Sequence, residues 1–215
     1  MKASSFQRLQ GLRMTLQESA QVVESQRERF AALAGREENG TATRAISSFN
    51  LFQTPEHIAL RMAGLIAAHC GDTPRILEPS AGLGRIYKAL CATIPDSRVV
   101  MVENSPDCCG ELYRIAREGD RLLQRDFLEL SQEEAGTFDA ICMNPPFKQG
   151  LDIKHIMSAR TMLSPSGILI SLCYNGARQN AFLKPLCTSW EVLPPGSFRS
   201  EGTSADVALI TLGHQ

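Results

Sequence analysis

Apolar residues fall along this chain in two rhythms. In residues 1–45, Phe6, Leu9, Leu12, Leu16, Ala20, Val23, Phe30 and Leu33 recur at spacings of three, four or seven. That spacing predicts a long amphipathic helix with one apolar stripe, interrupted by Arg27 and bounded by the Gly35 to Gly40 stretch. Residues 1–45 are therefore expected to form an N-terminal helical extension, and residues 46–215 the main domain. Too few heptads are clean for a coiled coil. Packing on its own domain, homodimer formation and docking on a partner protein all remain open for the stripe.

Beyond residue 54 the rhythm alternates. It predicts a helix over 55–69, a strand near Ile76, a helix over 85–93, a strand over 99–102 and a helix over 106–117. Strands near 122–124 and over 140–143, a helix over 153–163 and a strand over 168–173 follow. Such alternation predicts an α/β fold, a mostly parallel sheet with helices on both faces and ligands at the carboxyl ends of its strands. Trp190 to Leu193 and Ala205 to Leu212 have no helical pattern between them, so they are expected to pair antiparallel.

Composition narrows this picture without redirecting it. With 215 residues, 43% of them hydrophobic and 21% charged, the chain is long enough to bury a sizeable core. Seven cysteines, an odd number with no C-x-x-C pair, argue against a disulfide framework or a zinc site. Without a signal-peptide pattern or an apolar run of membrane length, a soluble cytoplasmic protein is expected, with no membrane partner. The net charge of -1 carries no signature of a nucleic-acid binder. Lys148, Lys154, Arg178 and Arg199 nevertheless fall in loops after expected strands, where they either neutralise phosphates beside a target base or are scattered surface cations.

Two motifs stand at strand ends. In the first, the strand Ile76-Leu77 runs through Glu78-Pro79-Ser80-Ala81 into Gly82-Leu83-Gly84 and a helical pattern beginning at Arg85. Glycines let a ligand approach the backbone, and the following helix aims amide groups at it. The dinucleotide fingerprint G-x-G-x-x-G would require glycine where Tyr87 stands, and no P-loop Lys-Ser/Thr pair is present. The next strand ends in Glu103, followed by Asn104, which suits a carboxylate gripping ribose hydroxyls. A nucleoside without a large phosphate group is the expected ligand.

The second motif, Asn144-Pro145-Pro146-Phe147, follows the apolar run Phe138 to Met143. Each proline fixes its own φ and restricts the residue before it, so the Asn144 amide and the Pro145 carbonyl are held in place. They suit an exocyclic amine as paired acceptors, with Phe147 stacking on the ring. The plainer reading is a strand followed by a Pro-Pro turn.

Together these motifs resemble the class I S-adenosylmethionine-dependent methyltransferases, and among them the amino-methyltransferases that carry Asn/Asp-Pro-Pro-Tyr/Phe. The resemblance covers roughly residues 49 to 212. It implies a Rossmann-like seven-stranded sheet with an antiparallel last strand, S-adenosyl-L-methionine as cofactor and no metal. It implies that Glu78, Pro79, Ala81, Gly82 and Gly84 surround the methionine part, that Glu103 and Asn104 serve the ribose, and that Asp126 and Phe127 contact the adenine, with Asn144 at the boundary between cofactor and substrate. Phe52-Gln53-Thr54-Pro55 is similar to the Phe-x-Thr-Pro element that adenine N6 methyltransferases close over the cofactor's carboxylate end. Asn144, Pro145, Pro146 and Phe147 are then the catalytic loop, with Lys148, Arg178 and Arg199 on the substrate side.

The compact chain further resembles the stand-alone adenine N6 DNA methyltransferases of phages and mobile elements, which makes DNA the first expected partner. No separate target-recognition domain is evident after Phe147. Ribosomal RNA methylation at guanine N2 or adenine N6, protein-glutamine methylation and a non-catalytic binding module stay open as alternatives. The segments Asn175 to Asn180 and Phe198 to Thr203 either border the site or are ordinary turns. His57, His69, His155 and His214 show no metal or catalytic spacing and are assigned no chemistry.

Overall fold

The computed structural model describes residues 53–214, so the apolar stripe of residues 1–45 and Phe52 lie outside the described residues. In chain order the elements are α1 (Glu56–His69), β1 (Arg75–Pro79), α2 (Arg85–Thr93), β2 (Arg98–Glu103), α3 (Pro106–Ile115), β3 (Arg121–Gln124) and α4 (Gln132–Ala135). They continue with β4 (Phe138–Met143), α5 (Leu151–Arg160), β5 (Leu163–Tyr174), α6 (Ala177–Phe182), β6 (Ser189–Val192) and β7 (Val207–Gly213). The seven strands form one sheet in the order β3-β2-β1-β4-β5-β7-β6. β7 alone runs against its neighbours, pairing antiparallel with both β5 and β6.

Strict alternation along the strands divides the core into two layers, because successive side chains point to opposite faces. Ile76, Val99, Met101, Ala140, Cys142, Ile170, Leu172 and Leu209 pack on the face covered by α1 and α2. Leu77, Val100, Val102, Ile141, Met143, Leu169, Ala208 and Ile210 pack on the other face, against Ile156 and Ala159 of α5. Apolar on both sides, the central strands read as nearly continuous hydrophobic runs, as expected for a sheet sandwiched between helix layers.

The largest departure from the sequence reading lies between α5 and β5. The helix expected to reach residue 163 ends at Arg160, and Leu163 opens β5 opposite Phe138. The amide of Phe138 donates to the Met162 carbonyl at 2.9 Å, so pairing with β4 captures the backbone at that point. Met162 and Leu163 are buried in either arrangement, which is why helical spacing alone misplaced them.

At one end of the sheet a group of polar atoms is tied together around Arg75. At the amino ends of β1 and β4, the Arg75 side chain donates to the carbonyls of Thr137 (2.5 Å) and Ala135 (2.6 Å) and lies over the Phe138 ring at 4.2 Å. The Arg75 backbone amide donates to Asp139 Oδ2 at 2.9 Å. β1 and β4 are neighbours, and their connections lead to β2 and β5 on opposite sides. This is the switch point at which open α/β sheets form a crevice beyond the carboxyl ends of their strands. Among the described residues no helix is long and apolar enough to cross a membrane.

Candidate active site

A cleft of about 840 Å³ opens at that switch point, within the range of small-molecule sites. β1 delivers Glu78 to it, and the chain then turns sharply through Ser80 (φ 63°), Gly82 (φ 55°) and Gly84 (φ 76°) before α2 begins at Arg85. β4 delivers Asn144-Pro145-Pro146-Phe147 from the adjacent strand end, so both motifs line one cavity. Gln53 and Thr54 line it from the segment before α1. Glu103, Asn104, Asp126 and Phe127 line it from the ends of β2 and β3.

The two acids of the site are held differently. Glu103 is 7% exposed, and its carboxylate accepts the amide hydrogens of Gly82 and Ser105, each at 2.8 Å. Glu78 is 1% exposed, and its Oε2 has no hydrogen-bond partner among the described residues. Burial, assisted by the nearby Glu103 carboxylate, pushes the Glu78 carboxyl well above the usual carboxylate range. A buried acid without a partner is costly unless a ligand supplies the opposite charge. The residues present therefore fit a ligand that brings an ammonium to Glu78 and a nucleoside towards Glu103 and Phe127.

Asn144, Pro146 and Phe147 are half-buried and Pro145 is buried. Phe147 packs partly on the core beneath α1 and α2 while lining the cleft. Past it the backbone turns left-handed at Gln149 (φ 57°) and Gly150 (φ 74°) to enter α5. The exposed Lys148 lines the mouth, next to this loop.

Four expected residues stand elsewhere. Pro79 is buried inside β1 and does not line the cleft. Gly84 faces α3, where a Cβ would meet Ile115 Cδ1 at 2.7 Å and Leu112 Cδ2 at 2.9 Å, so its glycine serves helix packing. Arg178 is exposed outside the cleft and donates to the Gln149 carbonyl at 3.3 Å, bracing the turn after Phe147. Arg199 is exposed beside Gly196, also outside the cleft. Both arginines occupy the expected edge of the sheet, and neither side chain reaches the cavity.

Other cleft residues carried little signal in the sequence. His155 is buried on α5, its ring 5.5 Å from that of Phe127 and its Nδ1 3.3 Å from Ser80 Oγ. Burial lowers its pKa and so favours the neutral ring, against an opposing pull from Asp126. Tyr174 ends β5 at the mouth, where its amide donates to Asp152 Oδ2 at 3.1 Å. Asp152 is fully buried and also accepts from Gln179 Nε2 at 2.9 Å, fixing the start of α6 to α5. Phe198 and Thr203, from the loop between β6 and β7, complete the wall. That loop had two readings in the sequence, and the structure lays it along the cleft.

Comparison with known proteins agrees with this geometry. A family model described as Methyltransferase small domain matches residues 64–194. A release factor glutamine methyltransferase of Rhodopirellula baltica is 28% identical over 123 residues, 54% of this chain and 41% of that protein. This chain thus spans about two fifths of that relative's length. TrmN from Thermus thermophilus superposes with a TM-score of 0.59 at 21% identity, covering 74% of this chain and 49% of that one. A candidate RNA methyltransferase from Pyrococcus horikoshii gives 0.60 at 13% identity, covering 86% and 98%. At these identities the structural likeness is one of fold.

Proposed function

Since the chain belongs to the methyltransferase small domain family, we propose that it transfers the methyl group of S-adenosylmethionine to the exocyclic amine of a nucleobase, with adenine N6 of DNA as the first substrate. The observation that carries this reading is the meeting of two strand ends in one cleft. Glu78, with an unpartnered buried oxygen, lies at the end of β1, and Asn144-Pro145-Pro146-Phe147 lies at the end of β4.

The bound cofactor supplies an already activated methyl, so the chain's task is to align the amine and exclude water. Asn144 Oδ1 and the Pro145 carbonyl accept the two amine hydrogens and orient the nitrogen. These bonds favour the pyramidal nitrogen that attacks, so their stabilisation is concentrated in the transition state. Phe147 stacks on the base, which in a duplex must first leave the helix. Lys148 at the mouth and Arg178 behind the loop supply positive charge for flanking phosphates.

A second reading, methylation of a protein glutamine amide, is favoured by the Rhodopirellula baltica relative. Both acceptors present a planar NH2 to the same pair of oxygens.

The test is mass spectrometry after incubating the protein and S-adenosylmethionine separately with unmethylated DNA, unmodified ribosomal RNA and glutamine-containing peptides. N6-methyladenine in DNA is the expected product. Methylated RNA or N5-methylglutamine with clean DNA would overturn the DNA assignment, and no product with any acceptor would count against amine methylation altogether.

A further inference from the structure

The methionine part of the cofactor bears an ammonium and a carboxylate on one carbon. A site that answers the first charge with Glu78 must also accommodate the second. Arg85 opens α2 directly after the glycine turn, and its side chain lines the cleft. Among the lining residues it shares permanent positive charge with Lys148, which stands on the β4 side at the exposed mouth.

The Arg85 guanidinium is anchored from two directions. Nη2 donates to Gln53 Oε1 at 3.2 Å, and Nη1 stands 3.7 Å from Glu201 Oε1. The Arg85 and Glu201 side chains are 21% and 16% exposed, so the pair is shielded from bulk solvent. A guanidinium carries five donors in a rigid fork matched to carboxylates. The contacts to Gln53 and Glu201 use only part of that fork. Because the Gln53 side-chain oxygen accepts from Arg85, its NH2 end remains the donor, and the buried Thr54 beside it also lines the cleft.

We propose that Arg85 is the ligand of the cofactor's carboxylate, positioned for that task by Gln53 and Glu201. The inference rests on the cofactor reading above and adds to it a residue that does not belong to either motif's expected set. It also ties the cofactor end of the cleft to the loop carrying Phe198 and Thr203, because Glu201 lies in that loop.

The experiment is a chemical double-mutant cycle read by calorimetry. Wild type, Arg85→Gln, Arg85→Lys and Glu201→Gln are titrated with S-adenosylhomocysteine and with its decarboxylated analogue, which keeps the ammonium, the thioether and the nucleoside. Wild type should bind S-adenosylhomocysteine at least tenfold more tightly than the analogue. Arg85→Gln should lose at least tenfold for S-adenosylhomocysteine and less than twofold for the analogue, Arg85→Lys should lose less, and Glu201→Gln should show a smaller loss with the same selectivity. Equal losses for both ligands would make Arg85 merely structural and overturn the inference. So would a wild type that does not distinguish the two ligands, a result independent of whether any variant folds. A wild type that binds neither ligand would overturn the cofactor reading itself.

Discussion

The backbone amide of Gly82 donates to the carboxylate of Glu103 with an N···O distance of 2.8 Å, and this bond joins the turn after β1 to the end of β2. Glu103 thereby spends its charge on backbone amides, as Ser105 adds a second bond. Glu78, one strand away and deeper, has an oxygen without such a partner. Two acids in one cleft are thus held differently: both oxygens of one accept backbone amides, and one buried oxygen of the other accepts nothing among the described residues.

Glu78→Gln should weaken S-adenosylmethionine binding by about 2 kcal/mol or more, because it removes one member of a buried charge pair. The same change should raise the melting temperature of the unliganded protein at neutral pH. A carboxyl raised in the folded state binds more protons than the unfolded chain does, so stability falls as pH rises from the ordinary value of 4.5 through the raised one. The difference between wild type and Glu78→Gln should therefore open across that window and stay constant above it. Melting curves over a pH series would show this, and parallel curves would refute it.

Asn144→Ala should lower turnover about 10²- to 10³-fold, the range seen when one preorganised polar contact to a reacting group is removed. Cofactor affinity should move far less. Single-turnover rates alongside cofactor titration separate the two, and a near wild-type rate would remove Asn144 from the chemistry.

Phe147→Ala should raise the KM for DNA about tenfold, since base stacking on an aromatic ring is worth roughly 1–3 kcal/mol. An unchanged KM and rate would exclude stacking on this ring.

Gly84→Ala and Gly82→Ala should fail in different ways. At Gly84 the new methyl meets Leu112 and Ile115 below 3 Å at a φ of 76°, so unfolding in urea should show a loss of about 1–3 kcal/mol. At Gly82 (φ 55°) a methyl meets nothing within 4 Å, so only the backbone strain of a left-handed alanine costs stability there, and because the methyl stands in the cleft wall, cofactor affinity should also drop.

Much of the fold was legible because the central strands are apolar on both faces and α2 and α3 are amphipathic. The helix over 85–93 and the antiparallel tail could be read directly from those patterns. Gly84 shows why the site was less so. A glycine required for φ and a glycine required for ligand approach leave the same letter, and only the position of α3 tells them apart. Arg178 and Arg199 illustrate a second limit, since the chain order that places a loop on the correct edge says nothing of where a long side chain points. His155 shows a third. It shares the buried face of α5 with another polar residue, Asp152, and its neighbours Ser80 and Phe127 are far away in sequence.

The hydrogen-bonded group around Arg75 also divides the chain's tolerance for change. There, guanidinium, carbonyls, carboxylate and ring form a closed set, so substitutions should register mainly as lost folding. At the opposite end Glu78, with its unpartnered oxygen, lines the cleft, so substitutions there should register mainly as lost ligand binding. One sheet thus carries two rims whose substitutions should separate by readout, one in folding and the other in binding.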